Sequence, residues 1–420
     1  MKTKNLLLVV LFLLIGTFSL PAFSFAQGNW TQKADFPGMG RWGAVCFSIG
    51  TKAYIGIGDT TYEMHSGFKD FWEWDQSTNV WTKKADYPGN SGGMAVGFSI
   101  GTKGYVGTGS KYGSGGFTND FWEYNSETNI WTQKATLPGA VARDGAAGFS
   151  IGTKGYIGTG NLDLNGGGEN YCKDFWEWDQ ATNVWTQKAD FGGGPRMVAV
   201  GFSIGTKGYI GIGEDVIGGN DVAEKDFWEW DQSTNVWTKK ADYPGNSGGF
   251  AVGFSIGTKG YIGMGVDYST MKAFNDFWEW DQSTNAWTKK ADYAGNSGGV
   301  ALGFSIGNKG YIGIESDGTT FHHDFWEYDP SGTSGVAEMA KENIFVYPNP
   351  ATDILTLNFD NRNNADLTLN IYNVTGELIS SETLRQNQQQ INIGELSNGI
   401  YMVEIKSNGW SEKQKLIIQR

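Results

Sequence analysis

The stretch Asp75-Gln-Ser-Thr-Asn-Val-Trp-Thr-Lys-Lys-Ala-Asp-Tyr-Pro-Gly-Asn-Ser-Gly-Gly93 occurs again, unchanged, at residues 231–249, and with two substitutions at residues 281–299. Six tryptophans introduce near-copies of this unit at intervals of 51, 50, 54, 52 and 50 residues: Trp30, Trp81, Trp131, Trp185, Trp237 and Trp287. A period of about 50 residues is typical of repeated β-sheet units rather than of helical arrays. The sequence therefore predicts a ring or stack of similar units.

Each unit contains four short runs with strand character, separated by turn residues. In the first unit we predict strands at residues 43–49, 52–58, 70–75 and 80–84. Gly50-Thr51 and the segment 76–79 supply the tight turns between them, and no segment with helical periodicity interrupts the pattern. Four antiparallel strands in each repeat make an all-β chain in which each unit is one blade of a β-propeller.

Three features of the unit resemble the Kelch motif. They are Tyr54-Ile-Gly-Ile-Gly58, the aromatic strand Phe71-Trp-Glu-Trp-Asp75, and Trp81 six residues later. The similarity recurs through residues 28–330 and implies a Kelch-type, galactose-oxidase-like propeller. The sequence departs from the family in having Gly-x-Gly where Kelch repeats usually have adjacent glycines, so the activity of no single Kelch protein is transferred.

The two ends of the repeat region predict how the ring closes. The last unit reaches Phe325-Trp-Glu-Tyr-Asp329 and then runs into Ser and Gly residues without a fourth strand, whereas the chain begins with an isolated fourth strand at residues 30–34. If that N-terminal strand completes the last blade, the propeller has six blades and no unpaired edge between the first and last of them.

The N-terminus has the pattern of a signal peptide. Two lysines, Lys2 and Lys4, precede an apolar run from Leu6 to Leu20, and Ser24-Phe25-Ala26 forms a small-residue cleavage site. We predict that residues 1–26 are removed, with cleavage between Ala26 and Gln27. The alternative is an uncleaved membrane anchor, but the run is shorter than the ~20 apolar residues of a span.

The C-terminus follows a different pattern. After a linker at residues 331–343, residues 344–420 alternate apolar and polar residues in several runs, as the strands of a small Ig-like β-sandwich do. Tyr347-Pro-Asn-Pro-Ala351, Asn373-Val-Thr-Gly-Glu377 and the basic-apolar end from Lys413 resemble the type A sorting domain of type IX secretion in Bacteroidetes. The resemblance implies handling by the type IX machinery and a secreted, extracellular or outer-surface location. The alternative is an ordinary Ig-like adhesion module.

Charge and cysteine content exclude some partners. The net charge of −13 becomes −15 once Lys2 and Lys4 are removed, which argues against nucleic acid or anionic lipid as a partner. With only Cys46 and Cys172, the fold is not a disulfide scaffold, and the sequence leaves open whether these two cysteines pair.

Residues that break the repeat mark one face of the predicted propeller. Because the four strands alternate in direction, the loops that lead into the first strand and out of the second emerge together. Arg41, Arg143 and Arg196 occupy equivalent positions there in three blades, and Trp42 follows the first of them. We predict that these four residues bind a ligand, the arginines through a carboxylate, sulfate or phosphate group. The alternative is that the arginines bond to loop carbonyls or neighbouring side chains.

Two metal sites are conceivable on the same face. Asn161, Asp163 and Asn165 place oxygen ligands at alternating positions before a glycine, as calcium loops do, but Cys172 stands where a bidentate glutamate would be expected. His65 and the pair His322-His323 lie on loops that ring closure makes neighbours, and they form the second candidate site, for zinc or copper. No other cofactor is predicted.

Three functions fit the sequence. The first is a surface or released binding protein that recognises a glycan or a protein through the variable face. The second is a carbohydrate-active enzyme of a Kelch class, similar to sialic-acid epimerases, with Glu214 and Glu315 as candidate carboxylates. The third is a structural matrix protein, which the near-identity of the repeats favours. Whether the protein is an enzyme is left open, and the ligand is not specified.

Overall fold

The computed structural model describes residues 28–60, 67–113, 115–139, 142–163, 170–217, 220–246, 248–267, 272–296, 298–316, 320–332, 345–347, 349–358, 367–384, 388–407 and 410–420. The predicted signal peptide, its cleavage site between Ala26 and Gln27, and most of the predicted linker lie outside these residues. The chain divides into two compact units, Met1–Ser334 and Gly335–Arg420.

The first unit contains 32 described strands and no described helix. In chain order they are β1 (Asn29–Gln32), β2 (Val45–Ile49), β3 (Lys52–Gly56), β4 (Phe71–Asp75), β5 (Val80–Lys84), β6 (Ser91–Gly93), β7 (Val96–Ile100), β8 (Lys103–Gly107), β9 (Ser110–Lys111), β10 (Phe121–Asn125), β11 (Ile130–Gln133), β12 (Arg143–Asp144), β13 (Ala147–Ile151), β14 (Lys154–Gly158), β15 (Asn161–Leu162), β16 (Phe175–Asp179), β17 (Val184–Lys188), β18 (Val200–Ile204), β19 (Lys207–Gly211), β20 (Glu214–Ile217), β21 (Asn220–Ala223), β22 (Phe227–Asp231), β23 (Val236–Lys239), β24 (Val252–Ile256), β25 (Lys259–Gly263), β26 (Val266–Asp267), β27 (Lys272–Ala273), β28 (Phe277–Asp281), β29 (Ala286–Lys289), β30 (Leu302–Ile306), β31 (Lys309–Gly313) and β32 (Phe325–Asp329).

Eight of these described strands form two-stranded sheets, and the other 24 form four-stranded antiparallel sheets, which we call blades and number along the chain. Within the described residues there are six of them: β2-β3-β4-β5, β7-β8-β10-β11, β13-β14-β16-β17, β18-β19-β22-β23, β24-β25-β28-β29 and β30-β31-β32-β1. The first strand of each blade contacts the first strands of both neighbouring blades, and β30 contacts β2. The blades therefore surround one axis, as in a β-propeller.

The N-terminal strand completes the last blade, as predicted. Strand β1 pairs antiparallel with β32, with Asn29 opposite Asp329 and Trp30 opposite Tyr328. The indole nitrogen of Trp30 donates to the carbonyl of Ala291, 3.1 Å away, in blade 5. This pairing covers the edge that β32 would otherwise expose to solvent.

Strands β2 and β3 are each two residues shorter than the sequence predicted. Strand β2 begins at Val45, two residues later than expected, because Gly43 has a φ of 63°. Strand β3 ends at Gly56 because Ile57 and Gly58 also have positive φ values. A left-handed residue cannot continue an extended strand, so the chain leaves the blade at these two points.

Aromatic side chains fill the spaces between blades. The aromatic residue near the end of each third strand is fully buried; these residues are Trp74, Tyr124, Trp178, Trp230, Trp280 and Tyr328. The ring centres of Tyr54 in blade 1 and Tyr124 in blade 2 are 5.5 Å apart, and the hydroxyl of Tyr54 donates to Glu73, 2.8 Å away. The repeated aromatic and glutamate residues therefore hold the scaffold together and do not mark a site.

The second unit is a small sandwich of two antiparallel sheets. Its described strands are β33 (Phe345–Tyr347), β34 (Ile354–Asn358), β35 (Leu367–Tyr372), β36 (Leu378–Leu384), β37 (Gln388–Asn392), β38 (Gly399–Ser407) and β39 (Trp410–Ile418). The sheets have the orders β33-β34-β37 and β36-β35-β38-β39. Alternate residues such as Leu355, Leu369, Val403 and Leu416 meet in one apolar core.

Among the described residues, there is no helix that is long and apolar enough to cross a membrane.

Candidate functional site

The variable loops of each blade lie together on one side of the propeller, which we call the loop face. It consists of the connections between blades, such as residues 33–44, and the described parts of those between second and third strands, such as residues 57–60 and 67–70. The two kinds of loop pair through their backbones: Trp42 bridges to Asp59, Met197 to Glu214, and Gly299 to Ser316. The short, repeated turns between the other strands lie on the opposite side, the turn face.

A ring of residues in the left-handed conformation surrounds the propeller axis on the loop face. One comes from each blade, four positions before the repeated Phe of the first strand: Gly43, Met94, Gly145, Val198, Phe250 and Val300. Their φ angles lie between 49° and 63°. The amide of Met94 donates to the carbonyl of Gly43 at 2.8 Å, and that of Val198 to Gly145 at 2.8 Å, so backbone hydrogen bonds connect consecutive blades.

Side chains from this ring and its neighbours meet over the axis. We call them the axial cluster: Trp42, Met94, Met197, Val198, Phe250, Val300 and Phe321. Trp42 of blade 1 contacts Phe250 of blade 5 edge-on, with 6.5 Å between the ring centres. Trp42, Met94 and Val198 are buried, whereas Phe250, Val300 and Phe321 are half-buried. The cluster presents aromatic and apolar groups at the centre of the loop face.

Beneath the cluster, first strands line an axial channel of about 180 Å³. Its wall is lined mostly by alanine, valine and glycine, and Cys46 occupies the place of a glycine found in the other five blades. The Cys46 thiol donates to the carbonyl of Gly303, 3.6 Å away, and burial raises its pKa to about 12. The thiol is therefore protonated and unreactive at neutral pH.

Arg41 is buried, and all of its partners lie within blade 1. Its Nη1 atom donates to the carbonyl of Ile57 at 3.0 Å and to Oδ1 of Asp70 at 2.5 Å, while Nη2 donates to Oδ2 of Asp70 at 3.0 Å. Burial raises the pKa of Asp70, but the hydrogen bond and charge of Arg41 outweigh it and hold that pKa below its usual value. Aromatic rings of Phe36 and Phe68 cover the guanidinium group.

Arg143 and Arg196 repeat this arrangement in blades 3 and 4. Arg143 donates to both oxygens of Asp174 at 2.7 Å, and Arg196 donates to Asp226 at 2.5 Å. Both arginines are buried. The prediction that three arginines face a ligand at the channel mouth therefore differs from the structure, in which their guanidinium groups connect each loop to the third strand. Trp42, the fourth predicted ligand residue, lies in the axial cluster.

The two candidate catalytic glutamates are also buried. Glu214 is 4% exposed and Glu315 is fully covered, so neither presents a carboxylate to a substrate in this structure. Glu315 lies beside Asp324, and its Oε2 atom is 3.4 Å from the hydroxyl of Tyr293. Burial raises the pKa of Glu315 to about 9, and the negative charge of Asp324 contributes to the shift. Glu315 is therefore protonated at neutral pH and can donate its proton to Asp324.

This proton gives a prediction for stability against pH. The folded protein keeps the Glu315 proton up to a pKa of about 9, whereas the unfolded chain loses it near 4.5. Stability from this group is complete below about pH 4.5 and is lost as the pH rises through 9. We expect the Glu315→Gln variant to gain stability relative to wild type between pH 5 and pH 9, measured by urea unfolding at both values. A stability difference that is the same at both pH values would contradict the buried, protonated carboxyl.

The predicted metal ligands are only partly within the described residues. Oδ1 of Asn161 accepts from the amide of Asn170 at 2.9 Å, and Oδ2 of Asp163 accepts from the amide of Phe117 at 3.1 Å. Asn165 and His65 lie outside the described residues. Among the residues that are described, no three His, Cys, Asp or Glu side chains are grouped so that they could hold a metal ion. The calcium and zinc or copper sites stay predictions.

The two cysteines are not bonded to each other. Both are free thiols, Cys46 in the channel wall and Cys172 beside Arg143, whose Nη1 atom is 3.3 Å from Sγ. Burial raises the pKa of Cys172 to about 12. Cys172 therefore packs against an arginine–aspartate pair as a neutral group.

The left-handed ring was missed by sequence reasoning. Its signal was available, because glycine stands at this position in blades 1 and 3 while Met94, Val198, Phe250 and Val300 stand there in the others. Glycine at the same place in near-identical repeats indicates a positive φ, and the remaining blades must adopt it with larger residues.

Comparisons with known proteins find a match by structure and a match to a sequence family. The chain is similar to the solved structure entitled "Structure of YjhT", with a TM-score of 0.58 and 18% identity over 70% of this chain and 95% of that one. At that identity the likeness shows the β-propeller fold alone. No curated protein matches the chain by sequence. Residues 345–419 match the family described as "Secretion system C-terminal sorting domain". The tail is thus a type IX secretion sorting domain, and the protein is secreted to the cell surface or the extracellular space.

Proposed function

We propose that the exported protein is a binding protein that recognises a glycan or a protein through the axial cluster on the loop face. The observation that carries this proposal is the left-handed backbone of Phe250 and Val300, whose side chains are half-exposed, whereas the left-handed residues that follow the second strands, such as Ile57 and Ile212, are fully buried. A left-handed residue with a side chain costs about 1–2 kcal/mol, and β-branched and bulky residues are the least suited to it.

Glycine is compatible with the fold at these positions, because Gly43 and Gly145 occupy them in blades 1 and 3. The other four blades nevertheless carry apolar or aromatic side chains at that cost. Backbone strain concentrates at ligand-binding sites, where it is tolerated because the strained side chain contributes to function. We infer that the side chains of this ring are retained for contact with a ligand.

The chemistry of the cluster is suited to recognition. Phe250 and Phe321 are half-buried and supply aromatic area, which stacks on sugar rings and dominates protein interfaces, and the buried ring of Trp42 packs beneath them. Asp144 on the same face is buried, accepts a 2.7 Å bond from Ser110, and has a pKa raised by burial to about 6. With the arginines neutralised by aspartates, these features favour a neutral or cationic ligand over an anionic one.

The alternatives have less support. An enzyme similar to sialic-acid epimerases would need an accessible carboxylate, and neither Glu214 nor Glu315 provides one, since both are buried. A matrix role is supported by the near-identical turn face. We further propose that the propeller is of the Kelch class, spanning residues 28–330 after cleavage at Ala26, and that the tail is a type A sorting domain preceded by a linker at residues 331–343.

A glycan array and an array of extracellular-matrix proteins, probed with labelled chain from Gln27 to Arg420, test the proposal. We expect the double variant Phe250→Gly/Val300→Gly to lose at least tenfold in affinity for whatever the wild type binds. The matched control is Val236→Ser. Val236 is an apolar residue on the turn face, and it is 52% exposed.

Each other outcome counts against the proposal. Equal binding by wild type and the double variant would move the site away from the axial cluster. Absence of binding on both arrays would favour the matrix role, and turnover of acidic sugars would favour the enzyme.

A further inference from the structure

An aspartate precedes the third strand of every blade; it is half-buried in blades 1, 3 and 4 and buried in blades 2, 5 and 6, and its Oδ1 atom needs a hydrogen-bond donor. The six residues are Asp70, Asp120, Asp174, Asp226, Asp276 and Asp324. In blades 1, 3 and 4 that donor is an arginine Nη1 atom, which binds Oδ1 and also a carbonyl oxygen at the end of the second strand. In blade 1 the carbonyl is that of Ile57, and in blade 4 that of Ile212, each 3.0 Å from Nη1.

The blades without this arginine share a second difference. Where the arginine is present, the residue two positions before the repeated loop glycine is Phe36, Leu137 or Phe191. Where glycine replaces the arginine, it is a tyrosine: Tyr87, Tyr243 or Tyr293. The two substitutions occur together in all six blades, so they act on the same site.

The tyrosine hydroxyl takes the place of one guanidinium nitrogen. A methyl group added at Gly38 would touch Nη2 of Arg41, and one added at the equivalent Gly89 would touch the hydroxyl of Tyr87. The same holds for Gly245 and Tyr243. The hydroxyl therefore replaces Nη2, while the position of Nη1 receives no atom from the tyrosine.

Polar atoms around that position lack partners among the described residues. In blade 2, Oδ2 of Asp120 accepts from the amide of Asn90 at 2.8 Å and from Trp122 at 3.2 Å, but Oδ1 has no donor and the hydroxyl of Tyr87 has no acceptor. Blade 5 repeats this, with Oδ1 of Asp276 and the hydroxyl of Tyr243 unpaired. These aspartates are 5% and 7% exposed and the tyrosines 1%.

We propose that blades 2 and 5 each bind one buried water molecule at the position of the arginine Nη1 atom. The water accepts from the tyrosine hydroxyl and donates to Oδ1 of the aspartate and to the carbonyl of Thr108 or Met264, the counterparts of Ile57. Three partners of this kind are what a buried water requires. A metal cation fits less well, because it cannot accept the tyrosine proton.

Blade 6 has a third arrangement, in which another side chain occupies the position of the arginine. Gly298 replaces the arginine, and a methyl group there would touch the side chain of Glu315. Glu315 lies beside Asp324, and Oε1 of Glu315 and Oδ1 of Asp324 have no other partner among the described residues, so we infer that the two carboxyl groups share the Glu315 proton. The water sites are therefore specific to blades 2 and 5, in which no side chain fills the position.

A crystal structure of the secreted chain at about 1.5 Å resolution tests the proposal. We expect one ordered water in blade 2 and one in blade 5, each about 2.7–3.1 Å from the aspartate Oδ1 atom and the tyrosine hydroxyl. Absence of density, a direct tyrosine–aspartate hydrogen bond, or a cation with short oxygen contacts would each overturn it.

Variants of blade 2 give a second test in solution. Gly92→Arg alone places a guanidinium against the hydroxyl of Tyr87, so we expect the melting temperature to fall by several degrees. Gly92→Arg/Tyr87→Phe recreates the blade 1 arrangement, and we expect it to regain most of that loss. The added Cβ would lie 3.3 Å from Cα of Tyr112, which a small shift accommodates. A double variant less stable than either single variant would contradict a shared site.

Discussion

Removal of residues 29–34 is expected to lower the melting temperature of the propeller by about 10 °C or more and to broaden its unfolding transition. These residues include β1, which forms the fourth strand of blade 6. The ring centre of Trp30 lies 4.9 Å from that of Tyr328 and 5.2 Å from those of Phe277 and Tyr293. Trp30 is half-buried, and its loss together with the hydrogen bonds between β1 and β32 is expected to cost about 3–5 kcal/mol, with each kcal/mol corresponding to about 2–4 °C in a domain of this size.

Calorimetry of the truncated and full-length secreted chains measures the effect. The matched control is Thr31→Ala/Gln32→Ala, which keeps β1 but changes two exposed side chains, and it should melt within about 1 °C of wild type. A truncated chain that melts like the full-length chain would show that β1 is dispensable for closing the ring.

Replacement of Arg196 by Ala is expected to cost about 3–5 kcal/mol of unfolding free energy, because it leaves the partly buried carboxylate of Asp226 without its ion pair. Arg196 also donates 3.0 Å to the carbonyl of Ile212 and lies 4.8 Å from the ring of Phe191. Urea unfolding of the variant measures the loss.

Lys239→Ala is the control for this experiment. Lys239 lies 3.0 Å from Asp242, but both side chains are at least half exposed, so solvent screens the pair and we expect no measurable change in stability. An Arg196→Ala protein with wild-type stability and weakened ligand binding would instead support the ligand-binding role that the sequence predicted for Arg41, Arg143 and Arg196.

The repeat made most of the fold predictable. Near-identical units fix strand order, because each must bury the same aromatic residues against its neighbours. The lone fourth strand at Trp30 and the missing one after Asp329 predicted that the N-terminus completes the last blade, and β1 does pair with β32. The motifs of the tail likewise predicted a sorting domain, and the family match at residues 345–419 confirms it.

The site was less predictable because repetition hides partners. An aspartate stands at the same position in every blade, as Asp70, Asp174 and Asp226 do, and a residue common to all blades indicates a structural role. The arginine partners occur in only three blades, and this restriction favoured a ligand-binding role for them. The tyrosine that replaces phenylalanine or leucine wherever the arginine is missing was the available sign of an internal partnership.

Backbone conformation was the second unpredicted element. Val198 and Val300 are β-branched residues that favour extended strands, so nothing in their local preference indicates a left-handed conformation. Only comparison with Gly43 and Gly145 at the same repeat position indicates it. These strained residues, and not the arginines, mark the centre of the loop face.

The most direct test of this account is the melting temperature of Phe250→Gly/Val300→Gly by differential scanning calorimetry. If these side chains are kept for a ligand at the expense of backbone strain, glycine relieves the strain and the variant melts at or above the wild-type temperature. If they are instead part of the folding core, the variant melts several degrees below wild type, and the axial cluster is not a binding site maintained against stability.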